Sequence, residues 1–223
     1  MNLYVVIVAG GSGKRMQAGT PKQYLELAGK PVLMHTLERF KAFNDDIEII
    51  TVLPENQLRY WNELQRKHTF DIPHTLVKGG MARFFSVKNG LKFVENSGLV
   101  AIHDGVRPLV STDTIRRCFE TAGELGNAIP VISPPDTLRM LSGEEYKPIN
   151  RLNVKKVQTP QVFNTELIKN AYNQEYIPEF TDDATVLEKT GVKINLVEGN
   201  RENIKITNPE DLIISTALLP FVK

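Results

Sequence analysis

The sequence has a single cysteine among its 223 residues, Cys118. This excludes an intrachain disulfide framework and a zinc site built from cysteines. No apolar run approaches the roughly 20 residues that a membrane-spanning helix needs. The N-terminal Met1-Asn2-Leu3-Tyr4 has no basic segment, and the apolar stretch leads directly into a glycine loop, which argues against a signal peptide. These absences predict a cytoplasmic protein with no membrane partner.

An excess of charge is also missing. The formal net charge is +1, and 24% of the residues are charged while 41% are hydrophobic. This balance is typical of a globular protein and argues against a nucleic-acid partner, which usually requires a clear basic excess. The motifs Gly-x-Ser-x-Gly and His-Glu-x-x-His do not occur, and the four histidines are scattered. Nucleophilic and metalloprotease catalysis are therefore not indicated.

Short apolar runs alternate with helical patterns along the chain. Strands are predicted at residues 3–9, 47–53, 74–77, 98–102 and 127–132, and helices at residues 31–43, 57–67, 82–95 and 113–125. Such alternation indicates an α/β fold with a Rossmann-like, mostly parallel sheet flanked by helices. Ligands bind such sheets at the carboxyl ends of the strands.

The segment 133–158 interrupts this rhythm. It contains three prolines and is longer than the usual connection of about 4–6 residues. It is either a disordered loop or a protruding β-arm, in which residues 136–141 pair with residues 149–156 across a turn at Ser142-Gly143. Beyond it we predict helices at 166–173, 183–190 and 211–219, and strands at 193–197 and 203–207. No linker divides the chain, so residues 1–223 are predicted to form a single domain.

A glycine loop, Gly10-Gly11-Ser12-Gly13-Lys14-Arg15, follows the first predicted strand. Successive backbone N–H groups in such a loop can bind an anion. The spacing fits neither the Walker nor the dinucleotide motif. With Lys22 a few residues on, the loop suits a triphosphate better than the pyrophosphate of NAD; the alternative is a tight turn with solvated lysines.

Two further groups follow the ends of predicted strands, and a lysine lies inside another. Asp104 could hold Mg²⁺ or serve as a turn residue, while its neighbour His103 is better explained as a core imidazole. Arg107 could reach a phosphate or pair with Asp104. Gly79-Gly80 opens a helix on which Arg83 and Ser86 share one face, which either binds an anion or is an ordinary turn. Lys205 lies in an apolar segment and faces either a ligand or solvent.

Taken in order, these motifs resemble one family. The residues that carry the resemblance are Gly10–Met16, Pro21-Lys22-Gln23, Gly79-Gly80 with Arg83 and Ser86-Val87, His103-Asp104 with Arg107-Pro108, Asp136-Thr137, Gln158–Gln161, Thr181–Ala184, Glu198-Gly199 and Asn203–Thr207. The sequence resembles the 2-C-methyl-D-erythritol 4-phosphate cytidylyltransferases over essentially its whole length. The ribitol 5-phosphate cytidylyltransferases share most of these motifs and are the alternative. A catalytically silent nucleotide-binding regulator is a third interpretation.

The resemblance implies transfer of CMP from CTP to a sugar-alcohol phosphate, with Mg²⁺ and release of pyrophosphate. Arg15 and Lys22 would stabilise the α-phosphate in the transition state, and Arg151 and Lys205 would position the acceptor phosphate. Asp104 would be the metal ligand. The implied nucleotide-binding residues are Ala9, Gly10, Gly11, Gly13, Lys22, Gly80, Arg83, Ser86, Asp104, Arg107, Thr137 and Thr159.

The resemblance also implies a homodimer, in which the arm at about 133–158 would bring Arg151 into the neighbouring subunit's site. The implied nucleophile is a phosphate oxygen whose second pKa is about 6, so it is ionised at neutral pH. A general base is then unnecessary, which agrees with the lack of a positioned catalytic histidine.

Overall fold

A computed structural model describes residues 1–10 and 19–222 of the chain. Twelve strands lie in these two ranges: β1 Asn2–Val8, β2 Glu26–Leu27, β3 Lys30–Pro31, β4 Glu48–Leu53, β5 Thr75–Lys78, β6 Gly98–Asp104, β7 Asn127–Ile132, β8 Leu138–Ser142, β9 Glu145–Ile149, β10 Lys156–Val157, β11 Gln161–Asn164 and β12 Leu196–Glu198. The α-helices of the same ranges are α1 Val32–Phe43, α2 Leu58–Lys67, α3 Arg83–Leu91, α4 Thr112–Leu125, α5 Thr165–Ala171, α6 Asp183–Glu188 and α7 Pro209–Leu218. None of these helices has the length and apolar character needed to cross a membrane.

The central sheet is built around β1, which pairs in parallel with β4 on one side and β6 on the other. The strand β5 continues the parallel sheet beyond β4, and β12 runs parallel to β7 at the opposite edge. Helices and apolar clusters cover both faces. The predicted α/β fold with a mostly parallel sheet is therefore confirmed.

The middle strands consist of apolar residues because both of their faces are buried. Every residue of β6 is buried, and so are residues 4–8 of β1. In the register of these strands, Val8 of β1 lies beside Asp104 of β6 and Val52 of β4. The carboxyl ends of all three strands therefore meet at one edge, and Asp104 lies at that edge.

Two short strands of the sheet, β10 and β11, were not predicted. The strand β11 lies between β6 and β7 and is antiparallel to both, with Val162 beside Ala101 and Ala128. Its four residues begin directly after Pro160, and no clear periodicity marks them as a strand. The short strand β10 precedes it and pairs with the end of β7.

The segment 133–158 contains an antiparallel ladder. In it β8 pairs with β9 from Leu138 beside Ile149 to Ser142 beside Glu145. The predicted second strand, 149–156, was placed too late along the chain, because the tight turn falls at Gly143-Glu144, with Gly143 at a φ of 65°. The strands β8 and β9 form a sheet of their own.

The predicted strand at 203–207 is wrong, since the structure assigns no strand to these residues. The segment is fixed by individual hydrogen bonds instead. The guanidinium of Arg107 donates to the carbonyl of Asn203, and the amide of Ile206 donates to the carbonyl of Val106. Lys205 is thereby held next to the residues that follow β6.

Candidate active site

A cleft of about 240 Å³ lies at the carboxyl ends of β1 and β6. We call it the glycine-side cleft. Its described lining residues are Val8, Ala9, Gly10, Lys22, Gln23, Gly80, Met81, Ala82, Arg83, Ser86, Asp104, Val106 and Lys205. Many residues that the sequence assigned to nucleotide binding thus surround one space.

A short 3-10 helix, Lys22–Tyr24, forms one wall of the cleft. The side chain of Lys22 is brought into this wall and is only 9% exposed. The neighbouring Gln23 is fully buried, and its Nε2 donates to the carbonyl of Ala9 at 2.8 Å and to Oε1 of Gln57 at 2.8 Å. Gln23 therefore fixes the end of β1 against the wall, a role that the sequence motif did not reveal.

The turn before α3 forms another part of the wall. The amide of Gly80 donates to the hydroxyl of Ser86, which in turn donates to the carbonyl of Ala82. A Cβ atom on Gly80 would lie 2.3 Å from the Cβ of Phe85, so only glycine fits there. Ser86 therefore shapes the turn as well as lining the cleft.

Asp104 is surrounded by cations. Its Oδ2 lies 3.0 Å from Nε of Arg107 and 3.1 Å from Nζ of Lys205, and its Oδ1 lies 3.8 Å from Nε of Arg83. Burial favours a higher pKa for Asp104, but Lys205, Arg83 and Arg107 hold that pKa well below its usual range. The carboxyl group is therefore ionised, and Arg107 pairs with Asp104 as one of the two alternatives predicted.

A chain of hydrogen bonds fixes Asp104 from behind. Its amide donates to the hydroxyl of Thr159, which lies 3.0 Å from Nδ1 of His103. Nε2 of His103 lies 3.2 Å from the carbonyl of Arg107, so Nε2 carries the proton and Nδ1 accepts from Thr159. Burial lowers the pKa of His103 to about 3, so the ring is neutral. His103 is thus the core imidazole that the sequence predicts.

Arg83 is held by a residue to which the sequence analysis gave no role. Its Nη1 and Nη2 donate to the two carboxylate oxygens of Asp183, at 2.8 and 2.6 Å. Asp183 is fully buried and also accepts a hydrogen bond from the hydroxyl of Tyr172 at 2.7 Å. The motif Thr181–Ala184 contains Asp183, but its separation of 100 residues from Arg83 conceals the contact.

A second space of about 280 Å³ also borders Asp104. We call it the Thr159-side hollow. Its described lining residues are Arg83, Asp104, Arg107, Val157, Gln158, Thr159, Gln161, Thr181, Asp182 and Lys205. The two spaces share Arg83, Asp104 and Lys205, so a molecule in either one meets the same charged groups.

Some of the predicted site residues are not brought to these two spaces within the chain. Thr137 is exposed next to β8, and Arg151 is exposed and donates to the carbonyl of Pro135. Neither is among the described lining residues. Gly11, Gly13 and Arg15 lie outside the described residues.

A magnesium ion would fit Asp104. The described residues contain no group of three or more carboxylate, imidazole or thiol side chains, but Mg²⁺ is commonly held by one or two carboxylates while phosphates and water complete its shell. Asp104 is ionised, and Arg83 approaches its Oδ1 only to 3.8 Å, beyond hydrogen-bonding distance. That oxygen is therefore suited to a cation that arrives with a nucleotide.

Comparison with known proteins gives the family. The chain matches the model for 2-C-methyl-D-erythritol 4-phosphate cytidylyltransferase, IspD, over residues 3–220. The chain belongs to this family. It is 52% identical over 219 residues to the 2-C-methyl-D-erythritol 4-phosphate cytidylyltransferase of Bacteroides thetaiotaomicron, and the match covers 98% of this chain and 100% of that relative.

Solved structures of the IspD family share the fold. The structure of the family member from Thermus thermophilus superposes with a TM-score of 0.79 at 32% identity, over 99% of this chain and 100% of the other. The 4-diphosphocytidyl-2C-methyl-D-erythritol synthase of Anaerococcus prevotii superposes with a TM-score of 0.83 at 30% identity, over 98% and 96%. The resemblance seen in the sequence is confirmed, and with it the prediction of a nucleotidyltransferase.

Proposed function

We propose that this chain transfers CMP from CTP to the phosphate of 2-C-methyl-D-erythritol 4-phosphate, in the synthesis of isoprenoid precursors. The IspD match and the names of its relatives support this substrate pair over ribitol 5-phosphate and over a silent nucleotide-binding regulator. The observation that carries the proposal is Asp104, an ionised carboxylate on the wall shared by two spaces and surrounded by Arg83, Arg107 and Lys205.

In this proposal CTP occupies the glycine-side cleft. A phosphate oxygen of the acceptor attacks the α-phosphorus, and the bond from that phosphorus to the oxygen bridging to the β-phosphate breaks, so pyrophosphate leaves. Both reactants are anions, so the site must offset their repulsion and the charge that grows in the transition state. Lys22 supplies a positive charge from the cleft wall, and Arg15 is proposed to supply a second.

The acceptor occupies the Thr159-side hollow. Lys205 and Arg107 offer positive charge to its phosphate, while Thr181 offers a hydroxyl group to a polyol chain. Lys205 borders both spaces, so it is suited to hold the acceptor phosphate next to the α-phosphate of CTP. No residue has to remove a proton, because the attacking phosphate oxygen is already ionised.

Two further parts of the proposal concern a metal and a second subunit. Asp104 would hold Mg²⁺, which when bound neutralises phosphate charge. The hairpin β8–β9 exposes Met140, Leu141 and Tyr146, as expected of a dimerisation arm, and Arg151 at its base would serve the neighbouring site. The single cysteine, Cys118, is buried and free, as suits a reducing cytoplasm.

The first test is release of pyrophosphate from CTP and Mg²⁺ with either acceptor. We expect turnover with 2-C-methyl-D-erythritol 4-phosphate and little with ribitol 5-phosphate. The opposite preference would contradict the proposed acceptor but would still agree with transfer of CMP from CTP. Binding of CTP without pyrophosphate release on either acceptor would favour the silent regulator.

A further inference from the structure

We propose that Asp183 is a positioning residue that holds Arg83 away from Asp104 and so keeps Oδ1 of Asp104 open for a divalent cation. The inference rests on the part of the proposed function in which Asp104 binds the metal. It concerns a contact remote in sequence, between the N-terminus of α6 and the N-terminus of α3.

The geometry places one guanidinium between two carboxylates. Arg83 uses both Nη atoms on Asp183, in the two-pronged arrangement that makes arginine–carboxylate pairs strong. Its Nε, which makes no bond to Asp183, lies 3.8 Å from Oδ1 of Asp104, beyond hydrogen-bonding distance. The positive charge of Arg83 therefore acts on Asp104, but Arg83 makes no hydrogen bond to Oδ1.

Asp183 is a stronger partner than Asp104 for the guanidinium of Arg83. It is fully buried, so its interaction with Arg83 is little screened by water. Its carboxylate accepts a third hydrogen bond, from the hydroxyl of Tyr172, which fixes its orientation. Asp104, in contrast, already shares its other oxygen between Arg107 and Lys205. Asp183 is consequently the better partner for the fork of Arg83.

Neutralising Asp183 reverses the preference. In Asp183→Asn the nearest carboxylate left to Arg83 is Asp104, and a movement of about 1 Å brings Nε within hydrogen-bonding distance of Oδ1. A guanidinium on that oxygen and a divalent cation repel each other. The variant should thus lose metal binding although Asp104 itself is unchanged.

Calorimetric titration of CTP, with Mn²⁺ and then with EDTA, measures the metal contribution as the ratio of the two affinities. We expect Asp183→Asn to lower this ratio about tenfold relative to the natural sequence. The double variant Arg83→Met with Asp183→Asn removes the competing guanidinium together with the buried charge. Its ratio should return to within about threefold of the original, since a neutral pair can replace a buried ion pair.

Tyr172→Phe is the matched control, because it removes a hydrogen bond to Asp183 but no charge, and it should leave the ratio within about twofold. Thermal unfolding monitored by the fluorescence of Trp61 shows whether each variant is folded. Asp183→Ser is the substitute if Asp183→Asn does not fold.

An unchanged ratio in folded Asp183→Asn would overturn the inference, and so would a double variant as impaired as the single one. The inference would also be overturned if the natural chain bound CTP with the same affinity in Mn²⁺ and in EDTA. A natural chain that shows the Mn²⁺ effect but transfers no CMP would contradict the proposed function alone.

Discussion

Asp104 and Arg151 are proposed for the same reaction, yet the chain holds them in different ways. Asp104 is buried at the end of β6 and is contacted by Thr159 from behind and by Arg107 and Lys205 in front. Arg151 is exposed, and its guanidinium donates to Pro135 at the base of the same hairpin. Charges that are fixed before substrate arrives need no reorganisation during the reaction. The cleft is thus preorganised within one chain, whereas the hydrogen bond of Arg151 lies at the base of the hairpin and brings it to neither of the two spaces.

The hairpin β8–β9 shows the same contrast in its packing. An isolated two-stranded hairpin is only marginally stable in water. Here the two strands pair with each other, and Met140, Leu141 and Tyr146 are more than half exposed. Apolar side chains in such a position gain stability when a partner covers them. The difference between the two regions can be tested by substitution.

The largest expected effect is in the cleft. We expect Lys22→Ala to reduce turnover about 100- to 1000-fold, the usual loss for one transition-state charge contact. Because Lys22 lies on the wall of the cleft and outside the apolar clusters, the midpoint temperature of unfolding should change little. Steady-state pyrophosphate release measures the first quantity and thermal unfolding the second. Lys67→Ala, an exposed lysine on α2, is the control and should retain full turnover.

The next effect tests whether the hairpin works across a dimer. Arg151→Ala should lower turnover about tenfold or more without a change in unfolding. Equal mixing of Arg151→Ala with Lys22→Ala subunits should then restore about a quarter of the original activity, because half of the dimers are mixed and each has one intact site. Subunit exchange must be verified by mass. Mixed dimers as inactive as the parents would indicate that Arg151 serves its own chain.

A smaller effect comes from the support behind Asp104. Thr159→Val removes a hydroxyl that accepts from the amide of Asp104 and donates to His103, leaving buried polar groups unpaired. The free energy of unfolding should fall by about 1–3 kcal/mol. Chemical denaturation measures the change, and Thr159→Ser should recover most of it. Arg139→Ala in the hairpin should stay within about 0.5 kcal/mol, and a greater loss there would contradict the comparison.

The smallest expected effect concerns His74, which belongs to neither the cleft nor the hairpin. His74 accepts a hydrogen bond from Trp61 on Nε2, and its Nδ1 contacts the carbonyl of Ile72. Burial lowers the pKa of His74 below 6.5, although the bond to Ile72 opposes this. The unfolded chain therefore binds more protons below pH 6.5, and the contribution of His74 to stability, complete above that pH, is lost as the pH falls through the lowered pKa.

The slope from this one group cannot exceed about 1.4 kcal/mol per pH unit. Urea unfolding of the natural chain and of His74→Gln between about pH 7 and pH 5, around the ordinary histidine pKa, measures it with Trp61 fluorescence as the signal. We expect a shallower slope in the variant. Identical slopes would show that His74 does not titrate differently in the folded state.

The parts of the molecule that the sequence predicts well are those governed by local patterns. The strand β1 and the strand β6 are continuous apolar runs, and the residues that follow them meet at one edge because parallel strands end together. The N-cap at Ser111 and the proline at the start of α7 likewise follow local residue preferences. Local signals of this kind placed Asp104 correctly.

What the sequence did not reveal depends on contacts between distant segments. The strand β11 is inserted between β6 and β7, and no local periodicity announces such an insertion. The pair of Arg83 with Asp183 and the contact of Gln23 with Ala9 are equally invisible to spacing rules. Lys205 was predicted as a site residue within a strand, but its segment is an irregular stretch fixed by single hydrogen bonds.

The pairing of β10 with β7 makes the hairpin a removable module. Lys156 lies directly beside Ile132 in this antiparallel pair, so the chain leaves the sheet and returns to it at neighbouring positions. Paired residues of antiparallel strands are only about 5 Å apart, a gap that a two-residue turn can close. Residues 133–155 can therefore be shortened, lengthened or exchanged between relatives while the strands on either side keep their register. Such changes leave the strands that carry the cleft in place and act on the reaction only through Arg151.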